Sequence, residues 1–327
     1  MNFDAMTLAR ARLALRGAIR TFLFDPNVNL IGMGYPEHAG QIAENELAIR
    51  VHVKQKLAGP ALEAATEAGR TAFIPPEIGG FPTDVLQGTY QLHPWRSWRP
   101  WQPSTEVDVR AARSNPMQGG ISISDEFHVA CGTLGGKVHD RITGAEMILS
   151  NWHVLAADWH ARRGQLIYQP GRLDGGTAMN AVARLTRDAM AVNLDAAVAT
   201  LTGSRPLTGE QLGVGTVTGA GSGQLGLQVV KSGRKSRITY GRIVEIDSTA
   251  RIRYGYLERI IRDVMSIEPL NGGEISRPGD SGSWWLNAET SEAIGLHFAG
   301  TNLPERALAL DMPLVLDALG VDIARTD

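Results

Sequence analysis

The segment PGDSGSW, residues 278–284, is the stretch that decides the fold of this chain. It places glycines at positions 279 and 282 around Ser281. A serine hydroxyl is a weak nucleophile until a base removes its proton, and the oxyanion of an acyl intermediate needs backbone N–H donors that side chains would obstruct. The segment therefore predicts a nucleophilic Ser281 and an oxyanion hole made by the N–H groups of Gly279 and Ser281.

A base for this serine is available far upstream, in the segment ILSNWHVLA at residues 148–156. An apolar strand pattern runs there into a small polar turn, and His153 stands where a short helix begins. Histidine is the side chain most often used as a general base near neutral pH. We predict that His153 accepts the proton of Ser281.

The acid that would orient this histidine is predicted in VNLDAAVA, residues 192–199. Asp195 interrupts an apolar run there as the run enters a strand. A buried carboxylate needs a partner, and the histidine supplies one. Asp188 is the alternative acid.

The three segments, in the order His153, Asp195, Ser281, resemble the triad segments of trypsin-like (chymotrypsin-fold) serine proteases. A fourth, KSGRKSRITYG at residues 231–241, resembles the segment that opens the second barrel in bacterial members, with Arg237 where the family usually has glycine. The resemblance implies a mostly β chain with two antiparallel β-barrels and a closing helix near residues 313–319. His153 and Asp195 would belong to one barrel and Ser281 to the next.

Other classes fit the sequence less well. The α/β-hydrolase elbow, G-x-S-x-G, needs glycine where Ser283 stands, and its chain order puts an acid between serine and histidine, whereas His297 precedes Asp311. A thiol protease built on Cys131 is disfavoured, because a lone cysteine in an apolar strand is more often an inert core residue. The alternative from another class is a catalytically quiet scaffold that binds peptides or assembles rings.

Length and composition favour an intracellular enzyme. A chain of 327 residues can bury a sizeable core, and its net charge of -2 gives no reason to expect a nucleic acid or an anionic membrane as partner. The single cysteine permits no internal disulfide, so we expect a cytoplasmic protein. Arginines break the apolar pattern of residues 1–24 into helical periodicity, which predicts an amphipathic helix rather than a signal peptide or transmembrane segment.

Residues 1–92 are predicted to form a small α/β module. Segments 29–34 and 46–54 are expected to be strands, and 61–68 a helix. Together with the segment PTDV at 82–85, they resemble the leader of bacterial and plant trypsin-like proteins of the NARROW LEAF 1 type. The tendency of that family to self-associate implies a homo-oligomer.

Residues 93–117 are predicted to link this module to a protease domain at 118–327. Trp95, Trp98 and Trp101 stand there at three-residue spacing, among prolines that forbid a regular helix. The tryptophans either form a partner-binding strip through cation–π contacts or pack onto the catalytic domain.

Substrate choice is implied by EAIGLHFAG, residues 292–300. It is similar to the strand that forms a wall of the S1 pocket in glutamate-specific bacterial proteases and viral 3C-like proteases. In those proteases the histidine recognises a P1 Glu or Gln side chain, which implies the same role for His297. Ser276 stands where those proteases often keep a serine or threonine, and Arg277 would add positive potential. The expected enzyme is an endopeptidase acting on protein or peptide substrates, with no metal or cofactor.

Asp280, beside the nucleophile, needs a cation if it is buried. Trypsins supply a new N-terminus by cleavage, and this chain has no obvious cut site before the barrels. Bacterial relatives use a basic residue at the position of Lys231, and Arg234 is a second candidate. We therefore predict that the oxyanion hole is formed in the uncut chain.

Overall fold

The computed structural model describes residues 3–92, 95–96, 108–302 and 305–323. The first helix buries positions spaced three or four residues apart, among them Ala11, Leu15 and Ala18, and Asp4 caps it by accepting hydrogen bonds from two backbone N–H groups. The elements up to residue 92 are α1 (Ala5–Phe22), β1 (Val28–Gly34), β2 (Glu37–His38), β3 (Gln41–Ile42), β4 (Ala48–Val53), α2 (Pro60–Glu67), β5 (Glu77–Ile78), β6 (Phe81–Gln87) and β7 (Gln91–Leu92).

A first antiparallel barrel follows. Its neighbourhood contains β8 (Trp95–Arg96), β9 (Met117–Gly119), β10 (Ser122–Asp125), β11 (Ala130–Thr133), β12 (Gly136–Asp140), β13 (Glu146–Ser150), α3 (Trp152–Leu155), β14 (Leu166–Tyr168), β15 (Ala181–Asp188), β16 (Ala197–Leu201), β17 (Leu207–Gln211) and β18 (Gly215–Thr216). The barrel strands lie in the order β12-β13-β16-β15-β14-β10-β11. Only Leu134 and Gly135 separate β11 from β12. The Leu134 N–H donates to the carbonyl of Ile121, and the Leu134 carbonyl accepts from the N–H of Gly120, both in the connection between β9 and β10. The segment 130–140 therefore stands at both ends of the strand order and closes the sheet.

The second barrel is closed by direct pairing. The remaining elements are β19 (Gln228–Gly233), β20 (Arg237–Tyr254), β21 (Leu257–Pro269), β22 (Trp284–Asn287), β23 (Ala293–Asn302), β24 (Glu305–Asp311), α4 (Met312–Leu319) and β25 (Val321–Asp322). Six strands follow the order β19-β22-β23-β24-β21-β20, and β20 pairs back onto β19. The predicted mostly β chain with two antiparallel barrels is confirmed, and α4 lies where the closing helix is expected.

The N-terminal strands extend the sheet of the second barrel. β1 pairs antiparallel with β20, β4 pairs with β1, and β6 runs parallel to β4. The strands approach closely at Gly32, where a Cβ atom would lie 1.9 Å from the Ser248 hydroxyl oxygen. One buried apolar cluster accordingly joins α1, β1 and β4 to the second barrel. The expected domain boundaries stay a prediction, and the hydrogen-bonded sheet runs across them.

The predicted helices and strands of residues 1–92 correspond to α1, β1, β4 and α2. Within the described ranges, no helix is both long and apolar enough to cross a membrane. Of the predicted tryptophan strip, Trp95 lies in β8, whereas Trp98 and Trp101 fall outside the described residues.

Candidate active site

The structure brings His153 and Asp195 together. His153 lies in α3, directly after strand β13, and its Nδ1 lies 2.5 Å from Oδ2 of Asp195. The backbone N–H of His153 donates to the other carboxylate oxygen at 3.1 Å. Both residues are buried. The carboxylate therefore sets the ring orientation and keeps the proton on Nδ1, which leaves Nε2 as the acceptor.

Two further residues position Asp195. The Tyr254 hydroxyl, at the end of β20, donates to Oδ2 at 2.8 Å, and the Asn151 side-chain amide donates to the Asp195 carbonyl at 2.7 Å. Burial raises the pKa of Tyr254 well above its usual value, and the Asp195 charge adds to this, so Tyr254 stays a donor. The alternative acid, Asp188, is exposed and accepts a hydrogen bond from the Met190 N–H.

Ser281 lies in a tight turn whose conformation is set by hydrogen bonds among residues 277–283 and by the φ value of Gly279. Asp280 N–H donates to the Arg277 carbonyl at 3.0 Å, and Gly279 has φ 108°, a left-handed value that favours glycine. The Ser283 hydroxyl donates to the Asp280 carbonyl at 2.7 Å. Neither Gly279 N–H nor Ser281 N–H donates to a partner in the described part of the chain. Both donors predicted for an oxyanion are thus available.

The serine turn packs directly on the histidine turn. A Cβ atom at Gly282 would lie 2.0 Å from the hydroxyl oxygen of Ser150, three residues before His153. A Cβ atom at Gly132 would likewise lie 2.5 Å from the Val154 side chain and 3.1 Å from the Ser281 carbonyl oxygen. Small residues at these points let the two barrels bring their catalytic candidates face to face.

The serine hydroxyl is not engaged with the histidine. Ser281 Oγ donates to the Phe298 carbonyl at 3.3 Å, and Nε2 of His153 has no hydrogen-bond partner among the described residues. Ser281 has no exposed surface, and His153 is 4% exposed. The candidate base and the candidate nucleophile thus lie on turns that pack together, without a hydrogen bond between them.

Asp280 is held by Lys231. Nζ of Lys231 lies 3.2 Å from Asp280 Oδ2, and both side chains are fully buried. The carboxylate also accepts backbone N–H bonds from Arg277, Lys235 and Ser236. Burial raises the pKa of Asp280, but the Lys231 charge and the Ser236 hydrogen bonds outweigh it and hold the pKa below its ordinary value. Burial lowers the pKa of Lys231, and Asp280 offsets part of that shift.

Arg234, the second candidate cation, pairs elsewhere. Its guanidinium contacts Asp174 at 2.6 Å and Asp108 at 2.9 Å, and its backbone N–H donates to the Thr133 hydroxyl oxygen at 3.0 Å. Arg237, which departs from the family pattern, adopts φ 63°. The turn thus keeps a left-handed conformation without glycine.

The predicted pocket residues differ in environment. His297 is fully buried in β23, with its ring edge-on to Trp285 at a centroid distance of 6.2 Å. Ser276 is 1% exposed, and its hydroxyl has no partner among the described residues. Arg277, in contrast, is exposed and pairs with Glu274, so the positive potential expected from it is neutralised at the surface.

Cys131 is buried in β11, and burial raises its pKa to about 12. A thiol that holds its proton so firmly is a poor nucleophile. The sequence did not single out Tyr254, since a tyrosine at the end of a strand carries no local sign that its hydroxyl reaches an aspartate 59 residues away.

No protein-family model matches the chain, and no curated protein matches it. Solved structures with a similar fold include Cellulomonas bogoriensis chymotrypsin, at 18% identity over 64% of this chain and 99% of that one, with a TM-score of 0.47. Thermobifida fusca protease A is 17% identical over 64% of this chain and 99% of that one, with a TM-score of 0.48. A glutamic acid specific serine protease is 17% identical over 64% of this chain and 100% of that one, with a TM-score of 0.48.

Proposed function

We propose that this protein is a serine endopeptidase that cleaves peptide bonds through an acyl-enzyme. Ser281 attacks the carbonyl carbon, and His153 takes its proton and then gives it to the leaving amine. Asp195 holds the imidazole and stabilises its positive charge, while the N–H groups of Gly279 and Ser281 bind the oxyanion. Water then attacks the acyl carbon. His153 takes a proton from this water and gives it to Ser281 Oγ as the carboxylic acid product leaves.

The observation that carries the proposal is the contact of His153 Nδ1 with Asp195 at 2.5 Å, in a turn that packs on the Ser281 turn. A buried aspartate on one imidazole nitrogen leaves the other as a base. The catalytic step needs one local change, in which Ser281 Oγ leaves the Phe298 carbonyl and turns to His153 Nε2.

A P1 preference for Glu or Gln is part of the proposal. The buried side chains of His297 and Ser276 can hydrogen-bond a substrate carboxylate or amide, and a site built for such a group rejects side chains that lack it. His297→Leu should shift the P1 profile on a peptide library toward apolar residues while Ser281 still reacts with an active-site probe. A wild-type profile led by Arg, Lys or an aromatic residue would contradict this preference.

A fluorophosphonate probe tests the nucleophile. Wild type should be labelled on Ser281, as read by peptide mass spectrometry, and Ser281→Ala should lose both labelling and peptide cleavage, a loss of about 10⁶-fold in rate. Ser204→Ala, an exposed serine outside the site, is the matched control and should react like wild type. Equal labelling of Ser281→Ala and wild type would remove Ser281 from the mechanism.

The alternative is a catalytically quiet scaffold that binds peptides on a protease fold. It is favoured by one observation, the hydrogen bond of Ser281 to Phe298 in place of His153. Binding of a peptide library without any turnover or labelling would support it. The homo-oligomer, the cytoplasmic location and the likeness of residues 1–92 to NARROW LEAF 1-type proteins stay predictions.

A further inference from the structure

Two short strands of the chain run along the candidate active site. In β7, Leu92 pairs with Ala299 and Gln91 with Gly300, antiparallel to β23. In β8, Trp95 pairs with Cys131 and Arg96 with Ala130, antiparallel to β11. We call residues 91, 92, 95 and 96 the cleft strand. It uses one sheet edge from each barrel.

Both edges border the nucleophile. Ala299 directly follows Phe298, whose carbonyl accepts the Ser281 hydroxyl bond at 3.3 Å. In β11, Thr133, two residues after Cys131, donates its backbone N–H to the Ser281 carbonyl at 2.7 Å. Each paired segment therefore lies within two residues of a hydrogen bond to Ser281.

The two pairings lie close together in the sequence. Leu92 and Trp95 are three residues apart, so the backbone between them can span at most about 10 Å. An extended peptide commonly binds by adding a strand to an exposed sheet edge. A peptide substrate that lies across Ser281 would need the same two edges, and the cleft strand occupies both.

The cleft strand is tethered from the N-terminal side. Tyr90, the residue before it, is buried, and its hydroxyl lies 2.8 Å from Nδ1 of His52. Nε2 of His52 lies 2.8 Å from Glu245, so the tether reaches β4 and β20. Leu92 itself packs against the apolar cluster that includes the first barrel. These contacts hold residues 91 and 92 at the cleft.

We propose that the cleft strand is an internal pseudosubstrate, which fills the peptide-binding edges and keeps Ser281 in a low-activity resting state until it is displaced. The proposal rests on the proposed protease function. It accounts for the complete burial of Ser281 and for its hydrogen bond to Phe298. Peptide substrates and the chain's own strand would then compete for the same edges.

Gln91→Pro tests release of the strand. Proline has no N–H to donate to a strand pairing, and the Gln91 side chain is exposed, so the change acts on the backbone. We expect fluorophosphonate labelling of Ser281 to become about tenfold faster, since one or two hydrogen bonds are lost. Gln41→Pro in β3, another exposed first residue of a two-residue strand, is the matched control and should label at the wild-type rate.

Trp95→Cys tests the opposite change. Directly paired antiparallel residues have Cα atoms about 4.5–5.5 Å apart, within the range that a disulfide requires, and Cys131 is the only native cysteine. Oxidation should lock the cleft strand and slow labelling at least tenfold relative to the reduced form of the same protein. Wild type treated with the same oxidant should not change.

Hydrogen exchange of the backbone amides at 299 and 300 measures occupancy without catalysis. One of these two amides faces β7 and the other faces β24, because the N–H groups of consecutive strand residues point to opposite neighbours. The amide that faces β7 should be protected in wild type and exchange faster in Gln91→Pro. Equal exchange and equal labelling in the two proteins would overturn the pseudosubstrate and leave the protease proposal standing. Absence of labelling in every variant would reject the protease proposal, and the exchange difference would then decide by itself whether the strand fills the cleft.

Discussion

Lys231 and Asp280 form a fully buried ion pair next to the nucleophile, and Lys231→Met removes its cation while keeping an apolar chain of similar length. Breaking a buried pair by removing one partner costs about 3–5 kcal/mol, because the remaining charge is uncompensated. Three backbone N–H groups still bind Asp280, at 2.9, 2.8 and 3.0 Å. We therefore expect a loss at the lower end of this range, about 3 kcal/mol in the free energy of unfolding.

The loss should depend on pH with a defined sign. The pKa of Asp280 is depressed in the folded protein, so its contribution is present above the unfolded value of 3.8 and is lost as pH falls through the folded pKa. Without Lys231 the depression shrinks. The deficit of Lys231→Met should therefore be larger at pH 7 than at pH 3, which lies below the unfolded value of 3.8.

Urea unfolding at both pH values, with fluorophosphonate labelling at pH 7, is the assay. Lys56→Met, an exposed lysine, is the control and should match wild type. The double variant Lys231→Met, Asp280→Asn removes both charges and should recover part of the stability. A Lys231→Met protein with the wild-type urea midpoint and labelling rate would refute the reasoning that this pair supports the oxyanion turn.

Three further predictions concern single groups. Tyr254→Phe takes one donor from the Asp195 carboxylate and should lower the free energy of unfolding by about 1.5–3 kcal/mol in urea titrations, with slower peptide cleavage. Arg237→Gly relieves φ 63° and should raise stability by up to about 1 kcal/mol, whereas Arg253→Gly, at an exposed position elsewhere in β20, should lower it. Asp311 has its pKa raised to about 6 by burial, so its contribution is present below pH 3.8 and lost as pH rises through 6. Asp311→Asn should flatten that part of the stability curve in thermal unfolding scans.

The serine turn illustrates what a linear sequence can predict. Its hydrogen bonds join residues three positions apart, and glycine at 279 is needed for a backbone conformation that other residues rarely adopt. His153 was equally predictable, because a strand followed by a polar turn and a short helix is a local pattern. The pairing of Asp280 with Lys231 spans 49 residues, and only the likeness to a known family indicated it.

Other features came from the tertiary structure alone. Tyr254 reaches Asp195 because β20 extends from the second barrel to the first, and the same strand receives β1 more than 200 residues earlier in the chain. The cleft strand depends on two separate sheet edges that meet only after both barrels close.

The amino-acid sequence by itself therefore determined the chemical groups and their local turns, since those depend on neighbouring residues and on backbone preferences. The tertiary structure decided which distant groups meet and which edges are already filled. Strand pairing between remote segments uses backbone N–H and C=O groups that every residue carries. Such pairing leaves no mark on side-chain periodicity, so the occupation of the cleft by Gln91 and Leu92 could be seen only in the folded chain.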